Sequence, residues 1–305
     1  MTIYDNSTFV NFPLKTDLSE EKNKIQLKEL NLIAVEMRKK ILEMGYVNQI
    51  RLHYGALMSM VEITTILYMH WLNVDPQDVQ KFDRDRFVLS KGHGAPALYV
   101  ALWMRGFFSE SHFKGFRRLN SILQGHPDIN KTPGVETSTG SLGQGFPVSV
   151  GMGLSNKMDG YRYGVYCLIS DGECNEGSIW EAAQIASNLN IGRLTVLLDR
   201  NKKSSYTWMK NRNDIEPLEE KWRSFRWNVL QCDGHDFVQL SHALFEAEKE
   251  TSKPSIIICN TIKGKGIPYL ENYPTKPNIL LANEAYDECV EHLVKIQKEL
   301  ENENE

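Results

Sequence analysis

The residues of this chain best suited to chemistry are Asp171 and Asn201, each lying just beyond an apolar, partly β-branched run. Asp171 stands in Ile169-Ser170-Asp171-Gly172-Glu173 after the run 165–169, and Asn201 stands in Asp199-Arg200-Asn201 after the run 194–198. If both runs are strands of one sheet, their ends offer a carboxylate and an amide oxygen to one place. A backbone carbonyl from the loop just after Asn201 then completes half of an octahedral shell of hard oxygen donors. Mg²⁺ takes such shells and fills the remainder with diphosphate oxygens and water. Gly172 lets the backbone approach a phosphate closely, and a helix opening near Ser178 directs free N–H groups toward an anion. Asp-Gly alone is also an ordinary strand-end turn; the second ligand at this spacing is what favours a metal.

The elements that must position these residues follow from periodicity. Apolar residues at helical spacing predict helices over 19–46, 60–71, 95–105, 144–158, 178–189, 237–250 and 283–299, the first capped by Ser19-Glu20-Glu21. Short apolar runs at 87–89, 165–169, 194–198, 227–230 and 255–259 lack polar alternation, as strands buried on both faces do. Strands alternating with helices imply an α/β fold: a parallel β-sheet with helices on both faces. We expect a single domain over 1–305, with an N-terminal helical extension and an acidic tail, 297–305, that frays. Three stretches rich in Gly, Ser, Thr, Pro or charge, 120–143, 201–219 and 264–283, are where ligands of an open α/β sheet should lie.

Composition narrows the function. The 305 residues are 41% hydrophobic, enough for a well-buried core, and a formal net charge of -4 with dispersed Lys and Arg gives no footprint for nucleic acid or a membrane surface. Five widely spaced cysteines without a C-x-x-C suggest neither a disulfide framework nor a zinc site, and point to a reducing compartment. The start lacks a basic segment followed by an apolar core, and no run reaches the roughly eighteen apolar residues of a membrane span, so a cytoplasmic protein is expected.

The segment 170–177, Ser-Asp-Gly-Glu-Cys-Asn-Glu-Gly, with Trp180-Glu181-Ala182-Ala183 and Asp199-Arg200-Asn201-Lys202, resembles the thiamine-diphosphate signature of transketolases. Four further blocks continue the resemblance: 84–93 (RDRFVLSKGH), 125–127 with 134–145 (GHP, GVETSTGSLGQG), 232–236 (CDGHD) and 261–266 (TIKGKG). It implies the diphosphate-binding domain of the thiamine-diphosphate fold, with Mg²⁺ and thiamine diphosphate as cofactors. Carried over residue by residue, it makes Asp171 and Asn201 metal ligands through their side chains and Lys203 a third through its carbonyl. Gly140, Leu142 and Gly172 would line the cofactor and His93 would reach its diphosphate. His53 and His126 would face the reacting carbon and substrate hydroxyls. Glu176 would sit at a subunit interface, in a carboxylate network that helps protonate the aminopyrimidine.

The glutamate that activates the pyrimidine lies, in that family, in a second domain. The resemblance therefore implies a partner subunit carrying the pyrimidine-binding domain, in an α₂β₂ assembly, and transfer of a two-carbon ketol unit from a ketose phosphate to an aldehyde. Two departures bear on specificity. Ser170 stands where the family has Gly, and residues 267–283 contain none of the histidine that the family places near the substrate, carrying Tyr269 and Tyr273 instead. The same cofactor half could serve another donor, a 2-oxo acid or an unusual sugar, or the chain could be a non-catalytic scaffold. Of the other histidines, His70, His112, His242 and His292 read as surface or satisfied core residues, and His235 as a structural residue of a strand-end turn. Cys174 reads as filling, and the 263–266 loop fits a phosphate contact and a solvated turn equally.

Overall fold

The computed structural model describes residues 15–19, 23–204, 207–272 and 278–302. Five strands, β1 (Arg86–Leu89), β2 (Val165–Ser170), β3 (Leu194–Arg200), β4 (Asn228–Asp233) and β5 (Ser255–Asn260), form one sheet in the order β1-β2-β3-β5-β4. Every pair is parallel, with Ser170 opposite Asp199 and Asp199 opposite Cys259. Side chains alternate between two apolar clusters: Tyr166, Leu168, Leu197 and Ile257 enter one, and Cys167, Ile169, Val196, Leu198 and Ile258 the other. That is why the strands read as unbroken apolar runs.

The first face is covered by α1 (Lys24–Val47), α2 (Tyr54–Met58), α3 (Val61–Ile66), α4 (Ala95–Arg105), α8 (Phe237–Lys249) and α10 (Asn283–Asn302). The second is covered by α5 (Gly145–Met158), α6 (Gly177–Asn188) and α7 (Leu218–Ser224). A short helix, α9 (Pro268–Glu271), puts Leu270 into the first cluster. Leu197, fully buried mid-sheet, is the kind of residue whose truncation to Ala costs about 2–5 kcal/mol.

The α/β reading and its two helical layers hold, with local corrections. Helix α1 begins at Lys24 rather than Ser19; Asn23 precedes it, and Glu20 and Glu21 of the expected cap lie outside the described residues. The 60–71 segment is not one α-helix: after Ile66 it widens into a π-turn, Leu67–Trp71, closed by the Leu72 N–H donating to the Leu67 carbonyl at 2.7 Å. Buried His70 is satisfied there by the Gln26 amide and the Thr16 carbonyl. Helix α10 extends past residue 297 to Asn302, lying along α1, where Lys28 Nζ donates to the Glu301 carbonyl at 2.8 Å. β4 starts at Asn228, since Trp227 turns into the second cluster and donates its indole N–H to the Ala183 carbonyl. Helices α2, α7 and α9 are too short to show a period.

Candidate active site

The carboxyl ends of β2 and β3 are neighbours, and a cleft of about 200 Å³ opens beyond them. Asp171 follows β2 directly. Its Oδ1 accepts the Gly172 N–H at 2.7 Å and its Oδ2 the Lys202 N–H at 2.5 Å. Lys202 itself is in the left-handed region, at φ +60°. Asp171 is buried and makes no ion pair among the described residues. Burial, then the nearby charge of Asp199, pushes its pKa up to about 7. Such a carboxylate gains from a cation.

Asn201, also buried, accepts the Lys203 N–H through Oδ1 at 3.1 Å. Lys203 is the non-hydrogen-bonded member of a bridge to Trp208, so its carbonyl accepts no hydrogen bond among the described residues. A carboxylate with no ion pair and a carbonyl that accepts no hydrogen bond, both among the described residues, thus border one cleft with an amide oxygen, a donor set that fits Mg²⁺. No cluster of three His, Cys, Asp or Glu occurs among the described residues, as expected when the donors are of these other kinds.

The cleft walls are cationic. Lys91, Lys203, Arg212 and Lys263 line it with His53, His93, Leu142, Ser170, Gly172 and Ser204. Lys91 is fully buried and ion-paired with Asp199, and it donates to the Ala56 carbonyl at 3.1 Å. Lys203, Arg212 and Lys263 have no carboxylate partner among the described residues; Lys263 donates to the Ser204 carbonyl at 2.8 Å, and burial lowers its pKa. A Cβ on Gly172 would meet nothing within 4 Å, so that backbone faces open space. Three unneutralised cations beside an open backbone suit a diphosphate.

Two glycine contacts pack the loops that adjoin the cleft at Lys91, His93 and Leu142. A Cβ on Gly92 would lie 2.8 Å from the Gly140 nitrogen, and one on Gly140 would lie 3.5 Å from His126 Cδ2, so the β1 turn, Gly140 and the His126 ring are stacked in sequence. His53 and His93 meet edge to face with centroids 5.4 Å apart. Burial, then Lys91 and His53, brings the His93 pKa down to about 3, and burial followed by Arg117 lowers that of His126. Both His93 and His126 are neutral near pH 7.

The structure therefore brings together His53, His93, Leu142, Asp171, Gly172, Asn201 and Lys203, with Gly140 and His126 adjoining. Glu176 stands apart: it is exposed at the start of α6, with its Cβ packed on the left-handed Gly143 turn. His235 holds a turn, accepting the Ile262 N–H at 2.8 Å. Cys174 is buried filling. Tyr269 packs on the first cluster, and Tyr273 lies outside the described residues.

Sequence reasoning missed Lys91, Arg212, Ser204 and Glu173. Buried Glu173 accepts from Ser90 Oγ and from the Gly143 N–H (2.7 Å), and so ties the β1 and Gly143 loops to β2. Its signal was its place in the motif, two residues after Asp171. The Ser170 hydroxyl accepts the Glu173 N–H at 3.2 Å, and its φ is not left-handed, so serine fits where the family has glycine.

Residues 33–282 match the family model described as "Transketolase, thiamine diphosphate binding domain". The 6-deoxy-6-sulfo-D-fructose transketolase subunit SqwG of Clostridium sp. (strain MSTE9) is 40% identical over 243 residues, 80% of this chain and 88% of that protein. An apulose-4-phosphate transketolase subunit of Phocaeicola vulgatus is 34% identical over 92% of this chain and 99% of its own. Among solved structures, transketolase from Leishmania mexicana superposes with a TM-score of 0.75 at 26% identity, over 89% of this chain and 46% of that one. Joined to the strand-end oxygen donors and the cationic cleft, these matches make the chain a member of the transketolase family, carrying its thiamine-diphosphate-binding domain.

Proposed function

We propose that this chain is one domain forming the diphosphate- and Mg²⁺-binding half of a two-subunit transketolase-type enzyme. The observation that carries the reading is one cleft that holds both buried Asp171, which makes no ion pair among the described residues, and three cations that make no ion pair with a carboxylate among them. Asp171, Asn201 and the Lys203 carbonyl would hold Mg²⁺. Lys203, Arg212 and Lys263 would neutralise the diphosphate, His93 would donate a neutral hydrogen bond to it, and Gly140, Leu142 and Gly172 would line it. When bound, thiamine diphosphate supplies a nucleophilic carbon and an electron sink for cleaving a carbon–carbon bond. His53 and neutral His126 are suited to holding substrate hydroxyls and passing a proton at their ring nitrogens.

A cleft of about 200 Å³ is smaller than the roughly 300–1,000 Å³ of a complete small-molecule pocket, which suits one end of a cofactor whose other end is held elsewhere. The relatives named as subunits support a second chain. We place on it the pyrimidine-binding domain, in an α₂β₂ assembly, with exposed Glu176 facing it. Five free cysteines among the described residues, and no described helix long and apolar enough to cross a membrane, suit a cytoplasmic enzyme.

Its reaction is transfer of a two-carbon ketol unit from a ketose to an aldehyde. An unusual sugar substrate is favoured over the common sugar phosphates by the missing histidine in 267–283 and by relatives whose names carry 6-deoxy-6-sulfo-D-fructose and apulose 4-phosphate. The test is reconstitution with a pyrimidine-binding partner, calorimetry of thiamine diphosphate with and without Mg²⁺, and turnover on a panel of ketoses and aldehydes. Metal-dependent binding and ketol transfer only in the mixture are expected. Turnover by the purified single chain would overturn the half-site reading, and kcat/KM above about 10⁴ M⁻¹s⁻¹ on xylulose 5-phosphate with ribose 5-phosphate would overturn the unusual-sugar reading.

A further inference from the structure

The loop that delivers Lys263 to the cleft is held at two points by side chains that share one buried carboxylate. Glu62, on α3, is 6% exposed; its Oε1 accepts from Arg38 Nη2 at 2.6 Å and its Oε2 lies 2.9 Å from His235 Nδ1. His235 Nε2 accepts the Ile262 N–H at 2.8 Å, so the imidazole proton belongs on Nδ1, where it is donated to Glu62. Arg38, on α1, reaches the other side of the loop and donates from Nε to the Lys265 carbonyl at 2.9 Å. Gly266, at φ +83°, packs so closely on that guanidinium that a Cβ would lie 2.8 Å from Nε. Between the two grips, the Gly264 N–H donates to the Gly55 carbonyl at 2.9 Å, and the Lys263 stem lies against Gly55, whose added Cβ would be 2.8 Å from Cγ. The ammonium emerges at Ser204, in the cleft.

We propose that Glu62, with Arg38 and His235, is a positioning device that fixes the 262–265 loop so that Lys263 meets the cofactor diphosphate. The inference rests on the cleft's being the diphosphate site. Neither Glu62 nor His235 lines that cleft, so both act through the loop. The geometry selects Glu62 as the junction: Arg38 and His235 hold different backbone groups of the loop, and the carboxylate is what orients both. An amide at position 62 could accept from one partner and would present N–H to the other.

The experiment compares wild type, Glu62→Gln, Lys263→Met and the double variant in the full chain with its pyrimidine-binding partner. It measures thiamine diphosphate affinity at saturating Mg²⁺, and amide hydrogen exchange at Ile262 and in β3. Each single variant should bind roughly tenfold more weakly, the loss of one charge-assisted contact. The double should be no weaker than either single, because both remove the same contact. In Glu62→Gln the Ile262 amide should exchange faster while β3 keeps its protection. Should Glu62→Gln not fold, His235→Gln, which leaves the Arg38–Glu62 pair in place, carries the same expectations. Unchanged affinity in the single variants, or losses that add in the double, would overturn the proposal. A wild-type complex that binds no thiamine diphosphate would instead overturn the reading of the cleft.

Discussion

Two aspartates stand side by side at the ends of adjacent strands and have opposite surroundings. Asp199, in β3, is fully buried; burial alone would raise its pKa, but Lys91 at its side, helped by Ser59 Oγ at 2.6 Å and Thr261 Oγ1, holds it below the usual carboxylate range. Asp171, just past β2, has two backbone N–H donors and no ion-paired cation among the described residues, and burial, then Asp199, raises its pKa to about 7. One carboxylate is satisfied by the fold and the other is left wanting. The comparison separates structural from functional acids: a buried charge completed by its own chain supports the scaffold, whereas one left incomplete marks where something must bind.

The largest effect expected falls on the satisfied residue. Asp199→Asn leaves the fully buried Lys91 ammonium without its counter-charge, and breaking a buried pair in this way costs about 3–5 kcal/mol. Urea denaturation should show that loss. A cost below about 1 kcal/mol would mean that Lys91 finds other solvation, and the contrast between the two acids would break.

Asp171→Asn should do the reverse. The amide keeps one of the two backbone contacts, and removal of a charge that burial disfavours offsets loss of the other, so stability without cofactor should change by about 1 kcal/mol or less. Mg²⁺-dependent thiamine diphosphate affinity should fall roughly a hundredfold, as when a charged partner of a buried ion is removed. Calorimetry on the reconstituted enzyme beside a denaturation curve reads both quantities. Equal destabilisation by the Asp171 and Asp199 variants would erase the distinction, and unchanged cofactor affinity would remove Asp171 from the metal site.

The same contrast explains what could be read from the sequence. The place of Asp171 and Asn201 beyond two neighbouring strand ends was legible because strands buried on both faces are unbroken apolar runs whose ends can be read. Lys91 and Arg212 were not, because a lysine in Ser90-Lys91-Gly92 or an arginine in a polar loop carries no sign of its burial or its direction. Only the fold shows that Lys91 ends beneath Asp199. The π-turn at Leu67–Trp71 was hidden because one inserted residue barely disturbs a helical apolar pattern. Helix α10 runs past residue 297 because Gln, Lys, Glu and Leu are good helix formers and the helix docks on α1.

His93 extends the comparison to the cationic side of the cleft, with a smaller effect. Its folded pKa, about 3, lies below the ordinary 6.5, so below about pH 6.5 the unfolded chain binds a proton that the folded chain refuses. Stability should then fall as pH drops, by up to about 1.4 kcal/mol per unit from this one group. His93→Gln should flatten the pH dependence of urea stability between pH 6.5 and 5. An unchanged slope would show that His93 takes up a proton in the folded chain and that burial and Lys91 do not hold it neutral.

The smallest effect belongs to Ser170, one residue before Asp171, where a hydroxyl occupies the family's glycine position. Its Oγ accepts the Glu173 N–H, and Glu173 in turn pins the Gly143 turn, so the serine belongs to the satisfied framework although it borders the cleft. Ser170→Gly should lose that contact and add chain entropy on unfolding, together about 1 kcal/mol. Cofactor affinity should stay within about threefold, because a hydroxyl engaged with Glu173 offers little to a diphosphate. Thermal denaturation and calorimetry on one preparation decide between the two roles. Affinity improved tenfold or more at unchanged stability would show that the hydroxyl obstructs the diphosphate, and would move Ser170 from the side of Asp199 to that of Asp171.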